Sequence, residues 1–331
     1  LTDSQTISLV RAFGHFFNLA NVAEQVNRSK VLADEKNTTG SWLSRAVDNI
    51  LAAQKISKDF DQKDLQTWID NFSVRPVFTA HPTEAARRSV LGKMTTISEL
   101  LQQPNSPTQS KRLAETIDLL WQTDELRLGR PEPLDEAVNS IYYLDELLVQ
   151  TVPEVLAEFA SEVKRLGVDL SLSAKPLSFG TWIGGDRDGN PNITADVTRS
   201  AILLQNSHFT RTLLLHLDQL VQGVSISTKL TGVSKELEKS VLDDLEKLPE
   251  IESRYRRINA EEPYRIKVTA IRHKLLITQQ RHTDNSPHVP GRDYKDSAEL
   301  LSDFEIMRKS LMANNGQLIA TGLLERITRA I

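Results

Sequence analysis

A histidine at the end of a short β-favouring run is the residue of this chain best suited to chemistry. Residues 75–84 read RPVFTAHPTE, so the run ends on His81 and a proline stops the strand. Thr83 is a good N-cap for a following helix. His81 is therefore predicted at the C-terminal end of a strand, beside free helix N–H groups, where α/β proteins hold anionic ligands.

The imidazole of His81 could act as a base at neutral pH. Its ordinary pKa is about 6.5, and two arginines shortly after it, Arg87 and Arg88, would favour the neutral form. The alternative is a histidine that only helps the chain to turn between strand and helix. We predict the proton-accepting role.

Arg87 and Arg88 are candidates for anion binding. Adjacent residues on a helix point about 100° apart, so the two cannot form one parallel fork. One could face His81 while the other faces a neighbouring helix or a second ligand. The alternative is a solvated basic edge, or ion pairs with the many carboxylates of the chain.

A second β-favouring run, residues 177–183, leads into a polar loop, residues 184–191. This loop could carry Arg187 toward an anion while Asp186 and Asp188 orient the guanidinium. The alternative is an Asp–Arg turn that satisfies its own charges and only braces a site. The candidate residues of the loop are Gly184, Gly185, Asp186, Arg187, Asp188 and Asn190.

Two familiar loop types do not fit residues 184–191. Asp186, Asp188 and Asn190 occupy positions 1, 3 and 5 of an EF-hand loop, but Pro191 replaces the glycine and Val197 the glutamate. A P-loop is excluded because no Gly-Lys-Ser/Thr follows. No metal site is predicted in this chain.

The elements that position these residues are mostly helices. Val10, Phe13 and Phe17 begin a helical stripe that we expect in the core, whereas residues 282–296 are expected to form a loose polar loop. Two isolated strands, near residues 75–80 and 177–183, cannot form a stable sheet alone. They either pair within a helical body or begin a larger sheet or barrel, and we favour the second.

Composition narrows the class of protein. The 331 residues are 39% hydrophobic and 25% charged, and the net charge is −4. The charge gives no reason to expect nucleic acid or an anionic membrane as partner. The absence of cysteine excludes disulfides and thiolate metal sites and is compatible with a cytoplasmic location. No apolar run approaches the roughly 20 residues of a membrane span.

Together the two loops resemble phosphoenolpyruvate carboxylases. Residues 77–84 (VFTAHPTE) with Arg87 and Arg88, and residues 179–191 (FGTWIGGDRDGNP), are the two specific matches. Shorter matches follow the same order along the chain, at residues 11–13 (RAF), 123–127 (TDELR) and 262–265 (EPYR).

The resemblance implies a lyase that carboxylates phosphoenolpyruvate with bicarbonate, giving oxaloacetate and phosphate, with Mg²⁺ or Mn²⁺. It implies an allosteric, cytoplasmic homotetramer whose carbon dioxide fixation replenishes the tricarboxylic acid cycle. His81 matches the catalytic histidine, which takes the proton of carboxyphosphate, and residues 184–191 match a loop of the same site. Arg87, Arg88 and Arg127 match arginines that bind a sugar-phosphate activator in plant members.

The implied fold is a helix-rich α/β (TIM-like) barrel, so the fold class expected here is predominantly α with a few strands. Residues 1–74 would be an N-terminal helical segment and residues 75–331 the start of the barrel, forming one incomplete unit. Family members are longer, and their later part carries the acidic metal ligands. We therefore expect an N-terminal fragment that is inactive alone. The alternative is a non-catalytic helical module that binds phosphorylated metabolites through Arg87, Arg88 and Arg127.

Overall fold

The structure is a computed structural model that describes residues 2–56, 61–79, 87–124, 132–171 and 174–330. Within these ranges it is mostly helical, with two short strands. The elements up to the second strand are α1 (Asp3–Thr39), α2 (Trp42–Ile56), α3 (Gln62–Asp70), β1 (Val77–Phe78), α4 (Arg88–Gln102), α5 (Pro107–Trp121), α6 (Pro133–Glu146), α7 (Val152–Arg165) and β2 (Gly180–Thr181). The later elements are α8 (Ala195–Gly223), α9 (Lys235–Lys247), α10 (Ser253–Ile258), α11 (Pro263–Asp284), α12 (Ser297–Ala313), α13 (Gln317–Ile319) and α14 (Glu325–Ala330).

The predominantly helical class with a few strands is confirmed. Two π-helical turns, Leu147–Thr151 and Ala320–Leu324, interrupt the helices before α7 and before α14. The chain divides into two compact units: unit 1 is residues 1–60 with 81–132, and unit 2 is residues 61–80 with 133–331. The predicted division into a helical segment (residues 1–74) and the start of a barrel (residues 75–331) stays a prediction, because these two units do not test where a barrel would begin.

Unit 1 packs α1 against α4, and α4 against α5. The predicted core face of α1 is wrong, because Val10, Phe13 and Phe17 are 65%, 57% and 60% exposed. Leu19 and Val22 contact the core of the unit instead. The helix has apolar residues on more than one face, so periodicity alone could not choose between them.

The core of unit 2 lies among α8, α9, α11 and α12, around fully buried side chains such as Leu217, Ile271 and Phe304. It also encloses charge. Lys267, which is 0% exposed, donates to Asp244 (2.7 Å) and to Asp303 (2.6 Å). Such a network is stable only when each member keeps its partners.

Two further residues complete this network. Lys274 lies 2.5 Å from Asp244 and 3.0 Å from Asp303, and the Tyr294 hydroxyl donates to Asp303 (2.7 Å). Burial raises the pKa of Asp303, but the two lysines outweigh it and hold that pKa below its usual range. These contacts tie α9, α11 and α12 to one another.

The segment predicted as a loose polar loop is more ordered than expected. The first residues of the 282–296 segment still belong to α11, which ends at Asp284. The rest is built around Asp293, whose side chain is 1% exposed. It accepts from the Val289 N–H (2.7 Å), lies 3.0 Å from His288 and pairs with Arg281. A buried carboxylate with several donors orders a segment that composition assigns to a loose loop.

Candidate functional site

The two strands lie inside the stretches from which they were predicted, and they pair with each other. They are parallel, with Val77 opposite Gly180 and Phe78 opposite Thr181. The pairing extends on both sides, because the Gly180 N–H donates to Pro76 and the Trp182 N–H donates to Phe78, both at 2.9 Å. Parallel strands end at the same edge of a sheet, so the segments after β1 and β2 leave from one edge.

The loop after β2 begins as a tight turn. The N–H groups of Gly185 (3.0 Å) and Asp186 (2.8 Å) both donate to the Trp182 carbonyl. Gly184 has a φ of +78°, a conformation that residues with a Cβ adopt at a cost. This turn redirects the chain immediately after the strand.

Helix α8 holds the start of the loop. The Thr198 hydroxyl donates to the Gly184 carbonyl (2.7 Å), and a Cβ on Gly184 would lie 2.7 Å from the Cβ of Ala201. Thr194, which follows the loop, caps α8 by accepting from the Val197 N–H (3.3 Å). Thr198 was not identified from the sequence, although its place one turn after the cap was a usable signal.

The charged side chains of the loop face solvent. Asp186, Arg187, Asp188 and Asn190 are exposed, and Asp188 has a φ of +31°. Among the described residues, no ion pair or hydrogen bond involves the side chains of Asp186, Arg187 or Asp188. No Asp–Arg pair therefore forms among the described residues of this loop, and its charges are exposed to solvent.

Arg87 lies in unit 1 and has a carboxylate partner. It is the extended N-cap residue of α4. The Arg87 guanidinium pairs with Asp124 at 2.6 Å. This contact joins the start of α4 to the residues that directly follow α5. The pair also matches the alternative considered for Arg87, an ion pair with a carboxylate of the chain. Because both side chains are partly exposed, the pair contributes at most about 1 kcal/mol to the unfolding free energy.

The remaining predicted site residues stay predictions. His81 and Arg127 lie outside the described residues, as does Thr83. Arg88 is exposed and is the first residue of α4.

A cleft of about 820 Å³ lies in unit 2 beside β2. The strand residues 177–181, the turn residues Gly184 and Gly185, and Thr198 of α8 form part of its wall. Most of the wall is apolar, and its charged members, Arg75, Lys175 and Arg329, are cationic. No carboxylate of the described residues lines it. The cleft could hold an anionic ligand, or it could be filled by another segment of a longer polypeptide.

A metal centre is not apparent in the part of the chain that the structure describes. No three His, Asp or Glu side chains there lie close enough together to hold an ion. No helix among these residues is long and apolar enough to cross a membrane.

A family model described as phosphoenolpyruvate carboxylase matches residues 1–331. The chain belongs to the phosphoenolpyruvate carboxylase family. A phosphoenolpyruvate carboxylase of Roseiflexus castenholzii is 31% identical over 97% of this chain, and one of Rhodopseudomonas palustris is 32% identical over 100%. One of Edwardsiella ictaluri is 35% identical over 69% of the chain.

The chain spans 36% of the length of the Roseiflexus and Rhodopseudomonas phosphoenolpyruvate carboxylases and 26% of the Edwardsiella one. The resemblance inferred from residues 77–88 and 179–191 is therefore confirmed at the level of the family. Catalytic roles of single residues are not tested by these matches.

Proposed function

We propose that the protein to which this chain belongs carboxylates phosphoenolpyruvate with bicarbonate, giving oxaloacetate and phosphate. The observation that carries the proposal is the family match along the whole chain. The exposed charges of residues 184–191 support it, since they remain available to a polar substrate. The non-catalytic module is not favoured, because Arg87 of its proposed site already pairs with Asp124.

His81 is proposed as the proton acceptor. The reaction then proceeds through carboxyphosphate and the enolate of pyruvate, and His81 takes the carboxyphosphate proton as carbon dioxide is released beside the enolate. The parallel pairing of β1 and β2 supports this role. The chain leaves both strands at the same edge of the sheet, which is where parallel α/β sheets hold their ligands.

In the proposed reaction, helix α8 positions the loop of residues 184–191. The Thr198 hydroxyl and the Ala201 methyl group fix Gly184 at the edge of the sheet. The loop beyond Gly184 can then hold Arg187 near the anionic groups of the substrate, where a guanidinium forms paired hydrogen bonds with phosphate or carboxylate oxygens.

Mg²⁺ or Mn²⁺ is proposed as the cofactor of the full-length enzyme. The described residues do not fit it by themselves, because hard cations need several oxygen ligands and no such cluster lies among them. We therefore derive no step through the metal from this chain. The ligands are proposed to lie in the part of the relatives that this chain does not span.

The pairing of β1 and β2 supports the proposed barrel. β1 and β2 form a parallel two-stranded sheet, which needs further strands or cover on both faces. The apolar wall of the 820 Å³ cleft beside β2 would receive them. Assembly as a homotetramer, and activation by a sugar phosphate through Arg87, Arg88 and Arg127, are proposed from the family alone.

The decisive experiment substitutes His81→Asn in a full-length protein containing this chain. We expect oxaloacetate formation to fall to background while phosphoenolpyruvate still binds, because the proton acceptor is lost but the phosphate contacts remain. His273→Asn, a change on α11 at a partly buried histidine that does not line the cleft beside β2, is the control and should keep most activity. Full activity in His81→Asn would refute the proposed role.

The 331-residue chain alone is expected to form no oxaloacetate and to bind Mg²⁺ only weakly. A coupled assay that follows oxaloacetate reduction, with a full-length relative as the positive control, tests the first expectation. Oxaloacetate produced by the chain alone would show that it contains the complete site.

A further inference from the structure

A small, open pocket of about 180 Å³ lies between α8 and the end of α11. Three of its residues, Arg199, Leu203 and Asn206, follow one face of α8 at spacings of four and three. The others come from the last turn of α11 and the residues after it. The described lining residues are Arg199, Leu203, Asn206, Arg281, His282, Asn285 and Ser286.

The charge of this cavity is positive. It contains two guanidinium groups, and no carboxylate of the described residues lines it. The charge of Arg281 is already balanced, because its guanidinium pairs with the buried Asp293 and donates to the Tyr294 carbonyl (2.9 Å). Arg199 is different. Among the described residues it takes part in no ion pair or hydrogen bond, so its charge is available.

His282 adds a donor rather than an acceptor. A guanidinium nitrogen of Arg281 lies 3.1 Å from His282 Nε2, and because arginine can only donate, Nε2 must accept. The neutral ring then carries its proton on Nδ1. Burial, together with the charge of Arg281, lowers the pKa of His282, which favours this neutral form.

The remaining polar side chains are unsatisfied within the described part of the chain. Asn206, Asn285 and Ser286 make no side-chain hydrogen bond there. At the end of α11 the Arg281 carbonyl accepts from the Asn285 N–H and from the Ser286 N–H (3.1 Å). Among the described lining residues, the charge of Arg199 is the one left without a counter-charge.

We propose that this cavity binds a small oxyanion of the size of phosphate, held chiefly by Arg199. A guanidinium matches a tetrahedral oxyanion through two parallel N–H···O bonds, and amide and hydroxyl donors can satisfy the remaining oxygens. The volume, about six times the share of one liquid water, admits one such group. The proposed contacts come from α8 and the end of α11, and binding there does not require the proposed carboxylation.

The test is a titration of the 331-residue chain with inorganic phosphate, followed by backbone and histidine NMR signals at constant ionic strength. We expect saturable shifts of the signals of residues 199–206 and 281–286. Arg199→Gln should weaken binding by about tenfold or more, because one charge-assisted contact is removed. As Arg199 is exposed, the variant should fold normally, which the unchanged remainder of the spectrum will show.

Arg254→Gln is the matched control, since Arg254 is an exposed arginine of α10 without an ion pair among the described residues. It should bind phosphate like the unmodified chain. Sulfate, which has the same shape, should compete with phosphate, whereas chloride should not. Equal binding by Arg199→Gln, equal weakening in Arg254→Gln, or identical shifts with chloride would each overturn the proposal.

Discussion

Substituting alanine for two glycines of the same loop separates backbone strain from packing. Gly184 and Gly189 have nearly equal φ values, +78° and +76°. Their surroundings differ. A Cβ on Gly184 would lie 2.7 Å from the Cβ of Ala201, whereas a Cβ on Gly189 would meet no atom within 4 Å.

The expected costs follow from these two facts. A residue with a Cβ in the left-handed region costs about 1–2 kcal/mol, and both variants incur this. Gly184→Ala also forces a methyl group against the buried Ala201 of α8, which costs a further ~1–3 kcal/mol. We therefore expect Gly184→Ala to lose about 2–5 kcal/mol of unfolding free energy, and Gly189→Ala about 1–2 kcal/mol.

The assay is urea unfolding of the 331-residue chain by circular dichroism, with amide hydrogen exchange over residues 182–198 as a local readout. Gly184→Ala should also speed exchange there, because the Thr198 hydrogen bond to the Gly184 carbonyl is displaced. Ala201→Gly combined with Gly184→Ala should cost less than the sum of the two single changes. Equal losses at Gly184 and Gly189, or strict additivity in the double variant, would refute the steric account.

Three further predictions concern charges. Lys267→Met should lower the unfolding free energy measured in urea by about 3–5 kcal/mol, because Asp244 and Asp303 would then share Lys274 alone. The control, Lys235→Met at an exposed lysine, should change it by less than about 0.5 kcal/mol. Equal losses in the two variants would contradict this expectation. Burial raises the pKa of Asp293, but its hydrogen bonds and the neighbouring cations outweigh burial and lower that pKa overall. The carboxylate therefore stabilises the fold above about pH 4, and this stabilisation is lost as the pH falls. Asp293→Asn should reduce the dependence of the unfolding midpoint on pH between about pH 6 and pH 3, and an unchanged dependence would refute the assignment. Arg87→Ala should change the unfolding free energy by less than about 1 kcal/mol, because the pair with Asp124 is exposed; a larger loss would show that Arg87 does more than form this pair.

Local signals made much of the fold predictable. The β-favouring runs at residues 75–80 and 177–183 contain β1 and β2, and most of the described chain is helical as expected. These features depend on a few adjacent residues, whose preferences act without distant partners. The parallel pairing of the strands did not follow from either run alone.

What the sequence did not reveal depends on distant partners. Lysines are almost always exposed, so nothing local predicts that Lys267 is fully buried between Asp244 and Asp303. Similarly, a polar segment after α11 gives no sign that Asp293 will be enclosed with Arg281. In both cases the compensating charge comes from another segment of the chain.

The candidate site was predictable to a similar extent. Residues 184–191 form a tight turn at the end of a strand, as expected, and Arg187 remains available to a ligand. The hold that Thr198 and Ala201 exert on Gly184 was not foreseen, since it needs the packing of α8 against the turn. Arg87 was predicted to bind an anion, and its partner Asp124 emerges only when α4 and α5 are folded together.

The parallel pair of strands has a consequence for the order of folding. Unit 2 is discontinuous: residues 81–132 belong to unit 1, and they separate β1 from β2 in the chain. During synthesis, β1 therefore emerges long before β2, and unit 1 can fold before β1 has a strand to pair with. Closing a loop of about a hundred residues is slow and costs chain entropy, so the β1–β2 contact is expected to form late. A ribosome paused before residue 177 would hold a chain with an exposed, unpaired strand, which is the state most open to aggregation and to capture by chaperones.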